Sequence, residues 1–467
     1  MNRVVDNFKN NIVIVISILI PCLLSSCSIL QTSYPLKLTN STKYLKRDNI
    51  NLAVKAYQDQ FNIQSRSILN LLTIGRLYQL DGKYQLSLRE YALAVKDIRS
   101  YQNNAKIQFS KLYSNSLAII GSDRELPYIV PSFEQIFLYI YQAKNYLNLD
   151  DLNNALVSVR KLSQAQSLLN TQRKLSHLYT KKIDDKVDMN LNNNSLLNRN
   201  KTFLSMKEQV ETINNSVENA FAYYLESILY ESDNFNYNDS FISIKNARNL
   251  VTNNKYINET YQQMQMGFNG RSPFYSGQGR VVVFFESGLV QQKETFSLRL
   301  LLGNLGVQFI FIPYYKGNND LYLNSSSQVV ITNKRDKSKI ITGKMFPLTN
   351  TNLLARRALV DQYPLIITRE ILRIIFKSSL TYSLHRNMGT TGLVAGSLYS
   401  ILTSSSDLRS WLLLPKTIDL YQCLVKPGDY TLKLNNKIYN FRIYPFRTTL
   451  IWVTRIGLFM KGDVYNL

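Results

Sequence analysis

Between Leu71 and Ala94 small and aromatic residues recur at intervals that fit two antiparallel helices in close contact: Ile74-Gly75, Tyr78, Gly82, Tyr84, Ser87, Tyr91 and Ala94. Gly75 and Ser87 are small where one helix crosses the other, Tyr78 and Tyr91 are placed to fill the space between neighbouring pairs, and Gly82 ends the first helix. Such a pair cannot bury its apolar face alone, so further copies are expected. A second begins at Ala143, with Tyr146, Asp150 and Leu152 in the turn, then Ala155, Val159 and Leu162. A third carries Ser227 and Tyr230 and, after one extra residue, Tyr237, Ser240, Ile244 and Ala247.

The spacing resembles the tetratricopeptide repeat, with Leu71 where Trp is usual and Ser87 where Ala is usual. The copies stand farther apart than the usual period of ~34 residues, so extra helices are expected between them. Residues 51–266 are therefore read as a helical repeat domain, interrupted near 184–200 by an Asn-rich, weakly apolar insert expected as a loop.

The amino terminus sets the expected compartment. Arg3 and Lys9 precede an apolar run from Ile12 to Leu24, followed by Leu24-Ser25-Ser26-Cys27. The order of basic start, short apolar stretch and small residues is that of a secretory signal, residues 1–26. As a helix the run rises only about 20 Å, short of the ~30 Å hydrocarbon core of a bilayer. The tetrad resembles the bacterial lipobox, and that resemblance implies cleavage before Cys27, with diacylglycerol on its thiol and an acyl chain on its amine. Several chains give stable anchoring where one does not. Ser28 in place of Asp implies, by the same resemblance, the outer membrane, with the protein facing the periplasm. Residues 27–50, polar and with one Pro, are expected as a tether. No other cofactor is expected.

The chain has 55 Lys and Arg against 32 Asp and Glu, a formal charge of +23. For an exported chain the available polyanions are anionic lipid, lipopolysaccharide phosphate and peptidoglycan carboxylates, not nucleic acid. With 3 Cys and 2 His, a zinc site and a disulfide framework are both excluded.

A Gly-, Ser- and Pro-containing stretch, Gly267 to Gly279, marks the domain boundary, and residues 280–467 read as a mixed αβ domain. Arg280 to Glu286, Gly306 to Tyr314 and Gln328 to Thr332 are short β-branched and aromatic runs; from Thr351 to about Leu384 the period is helical; strands return at the end. The predicted class is α+β, an all-α repeat domain followed by an αβ domain. This order of parts is similar to an uncharacterised family of bacterial lipoproteins. The matching residues are Phe285-Glu286-Ser287-Gly288, Pro364 with Arg369, Arg373 and Lys377, Asp407-Leu408-Arg409-Ser410-Trp411 with Leu414-Pro415, and Pro427-Gly428. The resemblance implies an envelope lipoprotein without assigned activity, found beside lipoproteins that activate penicillin-binding proteins.

Arg369, Arg373 and Lys377 fall on one helix face at i, i+4 and i+8, which calls for a nearby anion; Glu370 and Asp407 are the candidates. Together with Arg409 and Trp411 they form a candidate site for an anion or an acidic partner; the plainer readings are a solvated or internally salt-bridged helix face and a core Trp buried beside an Asp–Arg pair. Motif tests for catalysis fail: His177 and His385 have no Ser or Cys nucleophile in a recognised arrangement, and Cys423 sits in an apolar run. The expected role is a non-enzymatic, lipid-anchored scaffold whose repeat concavity binds a segment of an envelope protein. An enzyme acting on the envelope or cell wall is the alternative, and would need Glu286, Glu294 and Asp407 to converge.

Overall fold

The computed structural model describes residues 34–60, 67–112, 127–184, 200–233, 236–268, 277–301, 307–317, 327–402 and 405–467. The expected signal peptide, Cys27 and nearly all of the insert near 184–200 lie outside these residues. Helices precede strands, an α+β order. The helices pair as α1 (Tyr34–Lys46) with α2 (Ile50–Gln60), α3 (Ile68–Leu80) with α4 (Tyr84–Leu112), α5 (Ser132–Asn148) with α6 (Leu152–Asp184), and, after α7 (Lys201–Gln209), α8 (Ala220–Ser232) with α9 (Tyr237–Leu250); α10 (Lys255–Phe268) closes the series.

The three expected copies are α3/α4, α5/α6 and α8/α9, and their small residues meet as the spacing requires. Ser87 Oγ donates to Gly75 O at 2.7 Å and Ser240 Oγ to Ser227 O at 2.6 Å, while buried Ala143 and Ala155 take these places in the middle pair. A Cβ on Gly75 would stand 2.5 Å from the Tyr91 ring. Gly75→Ala is accordingly expected to lower stability by about 1–3 kcal/mol in urea unfolding, the cost of overpacking a closed contact. Unchanged stability would mean that the Tyr91 ring yields and the helices do not touch closely.

Within the described part of the expected tether, residues 34–50, the expectation fails. Residues 34–46 form a helix with Leu38 and Leu45 buried, and Ser41 Oγ donates to Ala53 O at 2.7 Å, which makes α1/α2 a fourth pair. The segment reads as polar because it has few apolar positions, and packing against α2 supplies what propensity does not. A signal was present: Ser41, Tyr44, Asp48, Ala53 and Tyr57 repeat the spacing of Gly75, Tyr78, Gly82, Ser87 and Tyr91. The turns agree as well. Asn49, Lys83 and Asp151 each donate a backbone N–H to the carbonyl of Tyr44, Tyr78 and Tyr146, and the residue before each, Asp48, Gly82 or Asp150, lies at φ 63°, 82° or 55°. This is the six-to-one bond of a Schellman cap around a left-handed residue.

Strands follow as β1 (Gly279–Ser287), β2 (Glu294–Leu301), β3 (Val307–Tyr314), β4 (Gln328–Asn333), β5 (Ile340–Lys344) and β6 (Phe346–Asn350), then helix α11 (Thr351–Leu402), then β7 (Thr417–Val425), β8 (Gly428–Leu434), β9 (Lys437–Ile443), β10 (Thr448–Ile456) and β11 (Phe459–Asn466). One sheet has the order β11-β10-β1-β7-β6, parallel only between β1 and β10; a second has the order β5-β4-β8-β9; β2 and β3 form a hairpin. Val281 to Phe285 are all buried, as a central strand covered on both faces requires. One face meets the helices, where Phe284 and Trp452 lie edge-on to the Phe221 ring. The other face meets the second sheet, so close that a Cβ on Gly462 would stand 2.3 Å from the Tyr439 ring. The result is three layers: helix pairs, five-stranded sheet, four-stranded sheet.

Within α11 the backbone reverses at Gly389, φ 61° and ψ −141°. The returning arm lies against the first, where a Cβ on Gly392 would meet the Leu384 carbonyl and one on Gly396 the Thr381 side chain. The G-x-x-x-G spacing thus serves a close helix–helix contact.

Candidate functional site

Arg76 follows Gly75 on α3 and Lys144 follows Ala143 on α5, equivalent positions on the first helices of successive pairs, and both are buried. They point at the five-stranded sheet. Arg76 Nη2 lies 2.6 Å from Glu286 Oε2 of β1, with the two side chains 1% and 0% exposed. Its other terminal nitrogen donates to Gln79 Oε1 at 2.5 Å, and its guanidinium carbon stands 3.9 Å from the centre of the Tyr141 ring. Lys144 Nζ is 3.4 Å from Asp463 Oδ2 on β11 and 4.7 Å from the centre of the Trp452 ring. Thr454 on β10 donates to Glu286 Oε2 at 2.8 Å. Burial alone would push the Glu286 carboxyl up; Arg76 and Lys144 outweigh it and hold the group below the usual carboxylate range.

The seam runs back into the repeats. Gln79 Nε2 donates to Asn145 Oδ1 at 2.7 Å, and Asn145 Nδ2 to Ser87 Oγ at 2.8 Å, so the helix-crossing contact and the ion pair share one network. Lys461 of β11 donates to the carbonyls of Gln79 and Leu80 at 3.3 Å, a cation at the C-terminus of α3. The side of the first helices that carries Arg76 and Lys144 is therefore covered by β1, β10 and β11 of the same chain.

Of the expected packing residues, Gly75, Tyr91, Ala94, Ala155, Tyr230 and Ala247 are buried, and Ile74, Tyr78 and Tyr146 pack half-buried against the core. Gly82 forms the α3–α4 turn. Tyr84 differs: its hydroxyl donates to Asp463 Oδ1 at 3.3 Å and its ring receives Lys461, so it serves the sheet rather than a neighbouring pair.

Within the candidate anion site Arg373 and Asp407 take different partners. Arg373 pairs with Glu370, as one of the two expected anions, and Arg373 and Lys377 are 2% and 4% exposed. Asp407 is held instead by Arg409, Nε to Oδ1 and Nη2 to Oδ2 both at 2.8 Å. Trp411 is fully buried, edge-on to Tyr91 and Tyr141, and its backbone N–H donates to Glu134 Oε1 at 2.9 Å. Helical spacing places Arg369, Arg373 and Lys377 on one face but does not say which way the face turns; around Arg373 and Lys377 it turns inward.

Carboxylates are likewise engaged separately: Glu286 by Arg76, Glu294 by the Tyr314 hydroxyl at 2.8 Å, Asp407 by Arg409. Burial pushes the Cys423 thiol up to about 11, and His385 Nδ1 lies 3.0 Å from Gly389 O. Among the described residues no group of three His, Cys, Asp or Glu is placed to hold a metal ion, and no helix is long and apolar enough to cross a membrane.

Glu226 of α8 is a further buried carboxyl, which the sequence reading passed over. It accepts from Gln166 Nε2 at 2.9 Å and Ser243 Oγ at 3.4 Å, and burial pushes its pKa up to about 8 against those bonds. A folded-state pKa above the unfolded one contributes stability that is full below the unfolded pKa and is lost as pH rises through the folded value. Between pH 5 and pH 8.5 the wild type should thus lose stability that Glu226→Gln retains, by a few kcal/mol. Parallel pH profiles for the two proteins would show that Glu226 is not a buried, protonated carboxyl.

No family model matches the chain, and no curated protein matches it. Among solved structures, the TPR2AB domain of yeast Sti1, in a complex with pHSP90, is similar at a TM-score of 0.19 and 12% identity, over 50% of this chain and 84% of that one. A likeness of that size carries no argument. The tetratricopeptide-like character of the helices rests on the Ser, Gly and Ala contacts and the shared caps described above.

Proposed function

We propose that this chain is a non-enzymatic adaptor of the bacterial cell envelope, anchored in the outer membrane by acyl chains on Cys27, in which the helical repeats hold the αβ domain and meet a partner protein with their outer side. The observation that carries the reading is the pairing of Arg76 with Glu286 and of Lys144 with Asp463. Because the first helices meet the chain's own sheet, contacts with other proteins fall to the exposed second helices. These carry solvent-facing aliphatics in each pair, among them Leu52, Leu86, Leu168 and Ile242. The separate engagement of Glu286, Glu294 and Asp407 favours this reading over the envelope enzyme, which needs them convergent.

Two measurements test it. Radiolabelled fatty acid should enter the wild type and not Cys27→Ala, and equal labelling would remove the anchor. A photo-crosslinking residue at Leu86 or Leu168 in the full chain, in cells, should trap a defined envelope protein, whereas one at Phe446, on the far layer, should not trap the same protein. Absence of any adduct from the helical positions would remove the adaptor role.

A further inference from the structure

Glu134, in the first turn of α5, is 0% exposed, as deeply buried as Glu286. The two carboxyls are held differently. Glu286 meets a guanidinium, whereas Glu134 meets neutral donors: the Tyr128 hydroxyl at Oε2, 2.5 Å, and the Trp411 backbone N–H at Oε1, 2.9 Å. Among the described residues no Lys, Arg or His stands within ion-pair distance of Glu134.

Other parts of the chain close around this carboxyl. Tyr34 comes from α1, Tyr128 from the stretch before α5, Lys293 from the β1–β2 connection and Tyr315 from just after β3. Asp407 comes from the stretch between α11 and β7, with its partner Arg409 over the Tyr128 ring. Lys293 Nζ donates to Arg409 O at 3.0 Å, so it acts on Glu134 by charge and not by contact. Burial holds the Tyr34, Tyr128 and Tyr315 hydroxyls above the ordinary phenol range, and lowers Lys293 against the pull of Asp407 and Glu134. Burial also pushes the Glu134 carboxyl up to about 7, against the bonds from Tyr128 and Trp411 and the charge of Lys293.

Glu134 belongs to the repeats and Trp411 to the αβ domain, so this titrating group sits on a bond that joins them. A neutral carboxyl keeps both contacts without burying charge, since one oxygen accepts from Trp411 and the hydroxyl of the other meets Tyr128. Ionised, it is a buried anion in contact with neutral donors, and water admitted by local opening relieves it. We propose that Glu134 is a pH-sensitive latch between the helical repeats and the αβ domain, closed on the Trp411 segment when protonated and loosened by its ionisation. The latch goes beyond the adaptor role and is independent of acylation at Cys27.

Amide hydrogen exchange on the full chain, read by mass spectrometry at pH 6 and pH 8 and corrected for intrinsic base catalysis, tests it. A carboxyl whose pKa is raised in the closed form contributes stability that is full below its open-form pKa and is lost as pH rises through the closed-form value. With an ordinary Glu pKa in the open form, opening should increase about tenfold between pH 6 and pH 8. Protection of the peptide spanning Ser410 to Leu414 should fall by that factor in the wild type. In Glu134→Gln, which keeps the shape and the acceptor but does not titrate, it should stay level. The central strand β1 should show no difference between the two proteins, and Glu226, common to both, cancels in the comparison. Tyr128→Phe, which removes a donor to the carboxylate, should move the fall to higher pH. The latch is overturned by parallel profiles in wild type and Glu134→Gln, by a difference of equal size in β1, which would mean global rather than local opening, or by an unmoved fall in Tyr128→Phe. It is also overturned if Glu134→Gln does not fold, because Gln reproduces the closed, uncharged form.

Discussion

Arg76→Met is expected to cost about 3–5 kcal/mol of stability, because it leaves Glu286 as an unpaired charge in the interior. Glu286 is 0% exposed, and with the guanidinium gone Thr454 and the more distant Lys144 remain to offset its burial. The double variant Arg76→Met/Glu286→Gln should recover most of the loss, since neither side then holds a stranded charge. In the wild type the folded-state pKa of Glu286 is depressed, so its contribution is present above the unfolded carboxylate pKa and is lost as pH falls. In Arg76→Met burial dominates and the sign reverses. The gap between the two proteins should therefore narrow on acidification from pH 7.5 to pH 5. Urea unfolding at both pH values measures it; a loss under about 1 kcal/mol at neutral pH would mean that water, not Arg76, compensates the carboxylate.

Trp411→Ala should cost a comparable ~3–5 kcal/mol, the range for emptying a large aromatic site in a packed core. The ring is wedged edge-on to Tyr91 of α4 and Tyr141 of α5, while its backbone is tied to Glu134. Because those partners belong to the repeats and Trp411 to the αβ domain, the cavity opens at the junction. Hydrogen exchange should show α4 and α5 losing protection along with β7, which begins six positions after the ring. Trp411→Phe should lose less than half as much. A change confined to the residues next to Trp411 would mean that the two parts are not coupled through it.

The Gly75/Ser87 spacing was legible because crossing helices leave room only for small residues, a local requirement written at fixed intervals. The fourth copy was equally written, in Ser41, Tyr44, Asp48 and Ala53, but was masked by the polar surroundings that suggested a tether. For the charged helix face the sequence left open whether the cations meet solvent, a ligand or internal anions. Periodicity reports that Arg369, Arg373 and Lys377 share a face, whereas whether the face meets water depends on what packs there.

Residue order alone set the helix pairs, their small-residue contacts, the switch to strands after Gly279 and the expected lipid-bearing Cys27, because each depends on neighbours within about a dozen positions. Only the tertiary structure decided that the Arg76 and Lys144 side of the first helices meets the chain's own sheet. That outcome joins Arg76 to Glu286 across 210 positions and Lys144 to Asp463 across still more. Charges so far apart in sequence carry no mutual pattern until burial brings them together and the loss of water makes their pairing obligatory.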